Sequence, residues 1–352
     1  MMLERISPTR HDTIDGVPEP SENPHLVGHQ AAARQLAAAF GANRLHHALL
    51  LAGPNGIGKA TLAFRLAFHL LSFPRPEEAP PELLVPDPAS SLFRSIAQGA
   101  HPSVLHLTRP ANERTKGYKS VITVDEIRRL SRFLSMTAHD GGWRIVIVDP
   151  ADDLNTNAAN ALLKSLEEPP ARTLFVLIAH SPGALLPTIR SRCQTVRMQR
   201  LRGDEILEVL RLLGLAVPPS AEAQAALAER AAGSVRAAIL LTEYGGLEIA
   251  GAVDAVLNEP RFGVAAASKI ADAVTGREQG IQFELFNAHL LDVVTQRATA
   301  AAAKGHGASA EKLAALWSAM ADAIGQTDTY NLDKRQHVIS WLAQMHDALH
   351  GG

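Results

Sequence analysis

Between a short apolar run, His47 to Gly53 (HALLLAG), and an alanine- and leucine-rich stretch from Ala60 to Leu71 stands the heptapeptide Gly53-Pro-Asn-Gly-Ile-Gly-Lys59. An apolar run of that length, stopped by glycine, reads as a strand buried on both faces. The stretch after Lys59 repeats its apolar residues at helical spacing. Strand, glycine loop and helix in that order form the opening unit of a parallel α/β sheet, and this constrains the fold more than any other feature of the chain. The heptapeptide also fills the first seven positions of a phosphate-binding loop, G-x-x-x-x-G-K. Gly53, Gly56 and Gly58 let backbone N–H groups close around phosphate oxygens, and the following helix N-terminus adds the positive end of its dipole. Lys59 would set a cation beside the β- and γ-phosphates. The next position, where a hydroxyl normally binds Mg²⁺, is Ala60; Thr61 follows one residue later.

The same alternation continues downstream. Strands are expected at Val104–Leu107, Arg144–Val148 and Leu174–Ala179, and helices at Asp125–Ser135 and Asn157–Leu166. Six of the residues from Pro74 through Pro88 are prolines, a composition that sustains neither a helix nor a central strand. An exposed insertion is expected there. Past residue 200 every apolar pattern has the helical period, in Gly203–Leu213, Ala221–Ala232, Ser234–Tyr244 and then longer helices with glycine-bearing turns. Phe283, Phe286, Leu290 and Val293 share one face, as do Leu313, Trp317, Met320 and Ile324, and Val338, Trp341, Met345 and Leu349. The chain therefore divides into an α/β domain over 1–200 with an insertion at 74–98, a small helical lid over 201–245 and an all-α domain over 246–352. The polar, proline-bearing residues 1–24 read as a loosely held leader.

Bulk properties narrow the functional classes. The 352 residues are 46% hydrophobic and 20% charged with a net charge of −2, so no global positive field draws the chain to nucleic acid. The single cysteine, Cys193, rules out an internal disulfide and a cysteine-rich zinc site, and suits a reducing cytoplasm. No stretch approaches the ~18 apolar residues of a membrane span, and no signal-peptide core is present; a soluble cytoplasmic protein is expected.

Arg144-Ile-Val-Ile-Val-Asp149 has the form of a Walker B strand, whose terminal carboxylate holds Mg²⁺. A hydrolysing enzyme of this kind places a water-orienting glutamate next, where this chain has Pro150. Asp152 and Asp153 are displaced by two or three residues and read better as solvated carboxylates or a helix cap. Further segments follow in order: Gly28-His29-Gln30, Arg44 to Pro54, Gly99-Ala-His-Pro102, Asn160-Ala-Leu-Leu-Lys-Ser-Leu-Glu-Glu-Pro-Pro170, Thr188-Ile-Arg-Ser-Arg-Cys193 and Gly233-Ser-Val-Arg236. Together they resemble the AAA+ subunits of the bacterial sliding-clamp loader of DNA polymerase III, over residues 26 to about 240. The tau/gamma subunits of that family, which hydrolyse ATP, have an intact Lys-Thr loop, an Asp-Glu pair and a four-cysteine zinc module. This chain, with Lys59-Ala60, Asp149-Pro150 and one cysteine, is more similar to a non-hydrolysing member without zinc.

The resemblance implies an AAA+ parallel sheet with flanking helices, a helical lid and a helical collar domain for oligomerisation. It implies that Arg192, in the serine-arginine-cysteine motif, reaches the γ-phosphate held by a neighbouring subunit. Guanidinium suits that task, being always charged and able to donate two parallel hydrogen bonds. Arg236 matches the sensor 2 arginine of the lid, and with Gly53, Gly56, Gly58, Lys59, Thr61 and Asp149 leaves room for passive ATP binding. The polar sensor 1 residue falls near Ala179 or His180. The implied partners are the tau/gamma and delta subunits, with the sliding clamp and primed DNA reached through the complex. Two rivals stand beside this reading: a self-sufficient ATPase of DNA replication or repair using Thr61 and Asp152, and a pure scaffold that binds no nucleotide.

Overall fold

A computed structural model describes residues 5–112, 117–135, 142–276, 279–330 and 332–350; residues 1–4 of the leader lie outside them. The chain divides into two compact units, 1–236 and 237–352. In the first, five strands, β1 (Ala48–Ala52), β2 (Val104–Leu107), β3 (Arg144–Val148), β4 (Thr173–Ala179) and β5 (Gln194–Arg197), form a sheet in the order β2-β3-β4-β1-β5. All the pairings are parallel. The period-2 alternation of each strand divides the apolar residues between two cores. Leu49, Leu51, Ile145, Ile147 and Val176 face one, packed against α1 (Gln30–Gly41) and α2 (Lys59–Ser72). Leu50, Val146, Val148, Phe175 and Leu177 face the other, against α4 (Val124–Ser135) and α5 (Thr156–Glu167). Covering both faces is what a parallel sheet requires, and it explains why these strands read as unbroken apolar runs. This is the α/β architecture expected of the AAA+ resemblance. β5 was not anticipated: only Val196 of its four residues is buried, so Gln-Thr-Val-Arg carries no strand signature.

One expectation needs revision, and the exposed stretch at 74–88 is more firmly anchored than its composition suggests. The leader is not loosely held. Ser7, Ile14, Glu19 and Ser21 are buried; the Glu22 carboxylate accepts from the Ile6, Ser7 and Glu19 N–H groups, and Arg5 donates to the Ile14 carbonyl. Its charged residues satisfy its own backbone, a source of order that hydropathy does not register. The 74–88 stretch is irregular, with one 3₁₀ turn at Pro76–Glu78, but it is pinned. Arg65 of α2 donates to the carbonyls of Leu83 and Leu84, Leu84 N–H donates to Nδ1 of His69, and Leu83 is buried. The segment after it forms α3 (Ser91–Ala97), opened by the Ser90 hydroxyl accepting from Phe93 N–H. α6 (Pro187–Arg190) leads into β5, and α7 (Gly203–Leu212) and α8 (Ala221–Ala231) complete the first unit up to the start of α9 (Val235–Glu243).

The second unit is all-helical: α10 (Gly246–Asn258), α11 (Val264–Val274), α12 (Gly280–Ala303), α13 (Gly307–Tyr330) and α14 (Lys334–His350). Phe283, Phe286, Leu290, Met320, Val338 and Met345 lie in its core. On α12 Val294 is the fully buried valine and Val293 packs at the margin. Trp341 is buried at 7% exposure, whereas Trp317 remains 42% exposed. No described helix is long and apolar enough to cross a membrane.

Candidate functional site

The phosphate loop leaves the carboxyl end of β1, in the central part of the sheet, and Lys59 opens α2. Gly58 sits at φ +96°, where a side chain would be strained. Gly56 has φ +73°, and a Cβ there would come within 2.3 Å of Ser234 Oγ and 2.5 Å of Arg236 Cβ. Its carbonyl accepts from the N–H groups of Val235 and Arg236 at 2.9 and 3.3 Å. The loop is thus closed by backbone contact with the segment carrying the sensor 2 match. Gly53 N–H donates to Ala179 O, and Lys59, 3% exposed, donates through Nζ to the carbonyls of Gly53 (2.7 Å) and Pro54. His29, just before α1, bonds through Nε2 to Ile57 O at 2.7 Å. Thr61 is buried in α2.

Around this loop the charged groups are crowded and desolvated. Burial brings Lys59 down to about 8, against the pull of Asp149 and Asp152. Burial, reinforced by Asp12, pushes Asp149 up to about 7; Lys59 and Arg10 act the other way. Burial also takes His180 down to about 4, with Lys59 adding to the effect. Arg10 and Asp12 belong to the leader, so the leader reaches the site. Arg236 donates through Nη1 to the Asp12 carbonyl. Sequence reasoning missed this occupant, because a polar stretch upstream of the fold gives no sign of where it folds back.

Asp152 Oδ2 accepts from the N–H groups of His180 (2.5 Å) and Ser181 (2.9 Å), while Oδ1 is buried with no hydrogen-bond partner. Asp153 pairs with Arg109. Among the described residues no group of three His, Cys, Asp or Glu side chains is placed to hold a metal ion. Lys59 and Arg236 both donate to the chain's own backbone carbonyls, those of Gly53 and Pro54 and that of Asp12. Arg192 lies apart from this cluster, just after α6. Its guanidinium bonds to Glu167 Oε1 at 2.6 Å and to Thr188 O at 2.9 Å, and its side chain is 35% exposed. The structure therefore brings Gly53, Gly56, Gly58, Lys59, Asp149 and Arg236 together and leaves Arg192 at the surface.

A family model described as "DNA polymerase III, delta subunit" matches residues 28–202. The DNA polymerase III subunit delta' of Pseudomonas aeruginosa is 44% identical over 147 residues, 42% of this chain and 41% of that protein. Its namesake in Escherichia coli K12 is 34% identical over 207 residues, 59% of this chain and 58% of that protein. The matched region thus spans about half the length of these relatives. Among solved structures, a gamma-subunit-related protein of DNA polymerase III from Thermotoga maritima aligns with a TM-score of 0.48 at 17% identity, covering 91% of this chain and 99% of that one.

Proposed function

The chain belongs to the family of DNA polymerase III delta-prime subunits, and on that premise we propose that it is a clamp-loader subunit that does not hydrolyse ATP itself and supplies Arg192 to a nucleotide held by its neighbour. One observation carries this reading: the phosphate loop keeps its backbone form while its chemistry is either missing or already engaged. Ala60 and Pro150 stand where a Mg²⁺-binding hydroxyl and a water-orienting carboxylate belong, and Lys59 and Arg236 are bonded to the protein's own carbonyls. Nucleotide binding by this chain, where it occurs, is passive and competes with those contacts. Arg192, half-exposed on a short motif between α6 and β5, is free to exchange Glu167 for a phosphate across a subunit boundary. In this role the partners are tau/gamma- and delta-type subunits, and the sliding clamp and primed DNA are met through the assembly. The net charge of −2 agrees with DNA being reached through partners.

A second reading rests on the buried, unpartnered Oδ1 of Asp152, which a self-sufficient ATPase could use with Thr61. The other oxygen of that carboxylate holds the chain after β4, which ties Asp152 to a structural task. The purified chain separates the two readings. Negligible ATP turnover with Mg²⁺ is expected; robust turnover abolished by Lys59→Ala would establish the second.

A further inference from the structure

Arg192 stands on a fixed base. Its backbone N–H donates to Ile189 O at 3.1 Å, and that of Cys193 to Arg190 O at 3.3 Å, so the chain leaving α6 continues as a turn. Ile189 is fully buried in the core that also takes Leu162 and Leu166 of α5. Two groups hold the guanidinium: Nη1 donates to Thr188 O at 2.9 Å, and Nη2 meets Glu167 Oε1 at 2.6 Å. Thr188 O also accepts from the Ser191 hydroxyl at 3.1 Å. Each contact engages one nitrogen, and a guanidinium with five N–H groups has donors left over.

The position of Glu167 follows from how α5 ends. Pro169 disfavours helical backbone at the residue before it, and α5 stops at Glu167, with Glu168 outside the helical region at φ −124° and ψ 69°. Leu166 is buried and its carbonyl bonds to Nε2 of His47, so the last turn is tied to the entry of β1. A carboxylate in that turn faces the negative end of the helix dipole, where cations are favoured. The helix therefore works against an acid here, and the ion pair with Arg192 offsets it. Both partners are partly solvated, Arg192 at 35% and Glu167 at 47% exposure, so the pair can open without leaving a buried charge uncompensated.

We propose that Glu167 is a latch on Arg192: it holds the guanidinium while no phosphate faces it, and releases it to the terminal phosphate of a nucleotide on the adjacent subunit. The inference rests on the proposed trans role of Arg192 and adds the group that controls it. Charge decides the exchange. A carboxylate carries one negative charge and a terminal phosphate up to about two, so a well-placed phosphate outcompetes Glu167. Left beside that phosphate, the carboxylate would repel it, and the pair has to open as charge builds. A contact made only before engagement opposes engagement, so removing it lowers the barrier.

The test rebuilds complexes with the full-length chain carrying Glu167→Gln, Arg192→Ala or both, and measures ATP turnover after equal assembly has been verified. Glu167→Gln keeps the shape of the side chain and removes its charge. At the site served by Arg192 it should raise turnover about two- to fivefold, the scale of a partly exposed ion pair. In the whole complex that gain is about one to four times the loss caused by Arg192→Ala, a ratio from which the other ATP sites cancel. In the Arg192→Ala background Glu167→Gln should change nothing. Unchanged or slower turnover with Glu167→Gln, beside a clear loss with Arg192→Ala, would overturn the latch and leave the trans arginine standing. No loss with Arg192→Ala would overturn both. A gain that survives in the double variant would show that Glu167 acts by another route, which overturns the latch as well.

Discussion

At the scale of single residues, the site stores its tension in Asp149 and Lys59. A carboxyl raised to about 7 stays protonated in the folded chain while it is ionised in the unfolded one. The unfolded state then binds fewer protons, so this group lowers stability as pH rises from about 4 to about 7. Lys59, brought down to about 8, does the reverse: its unfolded form binds more protons above that pH, and stability returns as pH rises from about 8 to about 10. Asp149→Asn should therefore leave stability nearly unchanged at pH 4 and raise it by no more than about 4 kcal/mol above pH 7, measured by urea unfolding across that range. A gain that is independent of pH would show that Asp149 is not held protonated. Arg192 belongs to the other class of site. Its pair with Glu167 is partly solvated, so Arg192→Ala should cost less than about 1 kcal/mol in the isolated chain.

Among the elements, the leader and the helices of the second unit make the clearest claims. Deleting residues 1–12 removes Asp12 from Arg236 and Arg10 from the surroundings of Asp149. Affinity for a fluorescent ATP analogue should rise about tenfold, or ~1.4 kcal/mol; unchanged affinity would show that the leader does not compete with nucleotide. In the second unit, Trp341→Ala should destabilise by about 3–5 kcal/mol as a core cavity, whereas Trp317→Ala should be nearly neutral in the free chain because its ring is 42% exposed. The sequence had grouped the two as alike, since helical periodicity assigns a residue to a face and not to what covers that face. The same distinction explains what was legible in the site. Gly53 to Lys59, Asp149 and Arg236 could be located from motifs because backbone geometry and phosphate chemistry demand particular residues at particular spacings. β5 was invisible, since an edge strand with one buried side chain needs no apolar run. The leader was misjudged because its order comes from Glu22 and Arg5 bonding to backbone groups, and from Arg10 and Asp12 meeting residues more than a hundred positions away.

For the whole molecule, the division at Arg236 and Ala237 separates a unit built on the parallel sheet and its glycine loop from an all-helical unit with its own core. We expect the helical unit to supply most of the affinity for other loader subunits, with exposed Trp317 as one anchor. A chain ending near Tyr244 should remain folded, by circular dichroism and cooperative melting, and fail to enter the complex; assembly with unchanged affinity would refute that division of labour. The central claim is that this protein acts on a nucleotide it does not hold. Arginines supplied in trans contribute roughly 10³–10⁵-fold to turnover at the site they serve, although only one of several sites in a loader would lose its finger here. The direct measurement compares ATPase and clamp-loading rates of complexes rebuilt with the wild-type chain, Arg192→Ala or Arg192→Lys, after equal assembly has been verified. Clamp loading should slow with Arg192→Ala and recover poorly with Arg192→Lys, which keeps the charge and loses the planar fork. Equal rates in fully assembled complexes would contradict the claim and leave Arg192 as the partner of Glu167 alone.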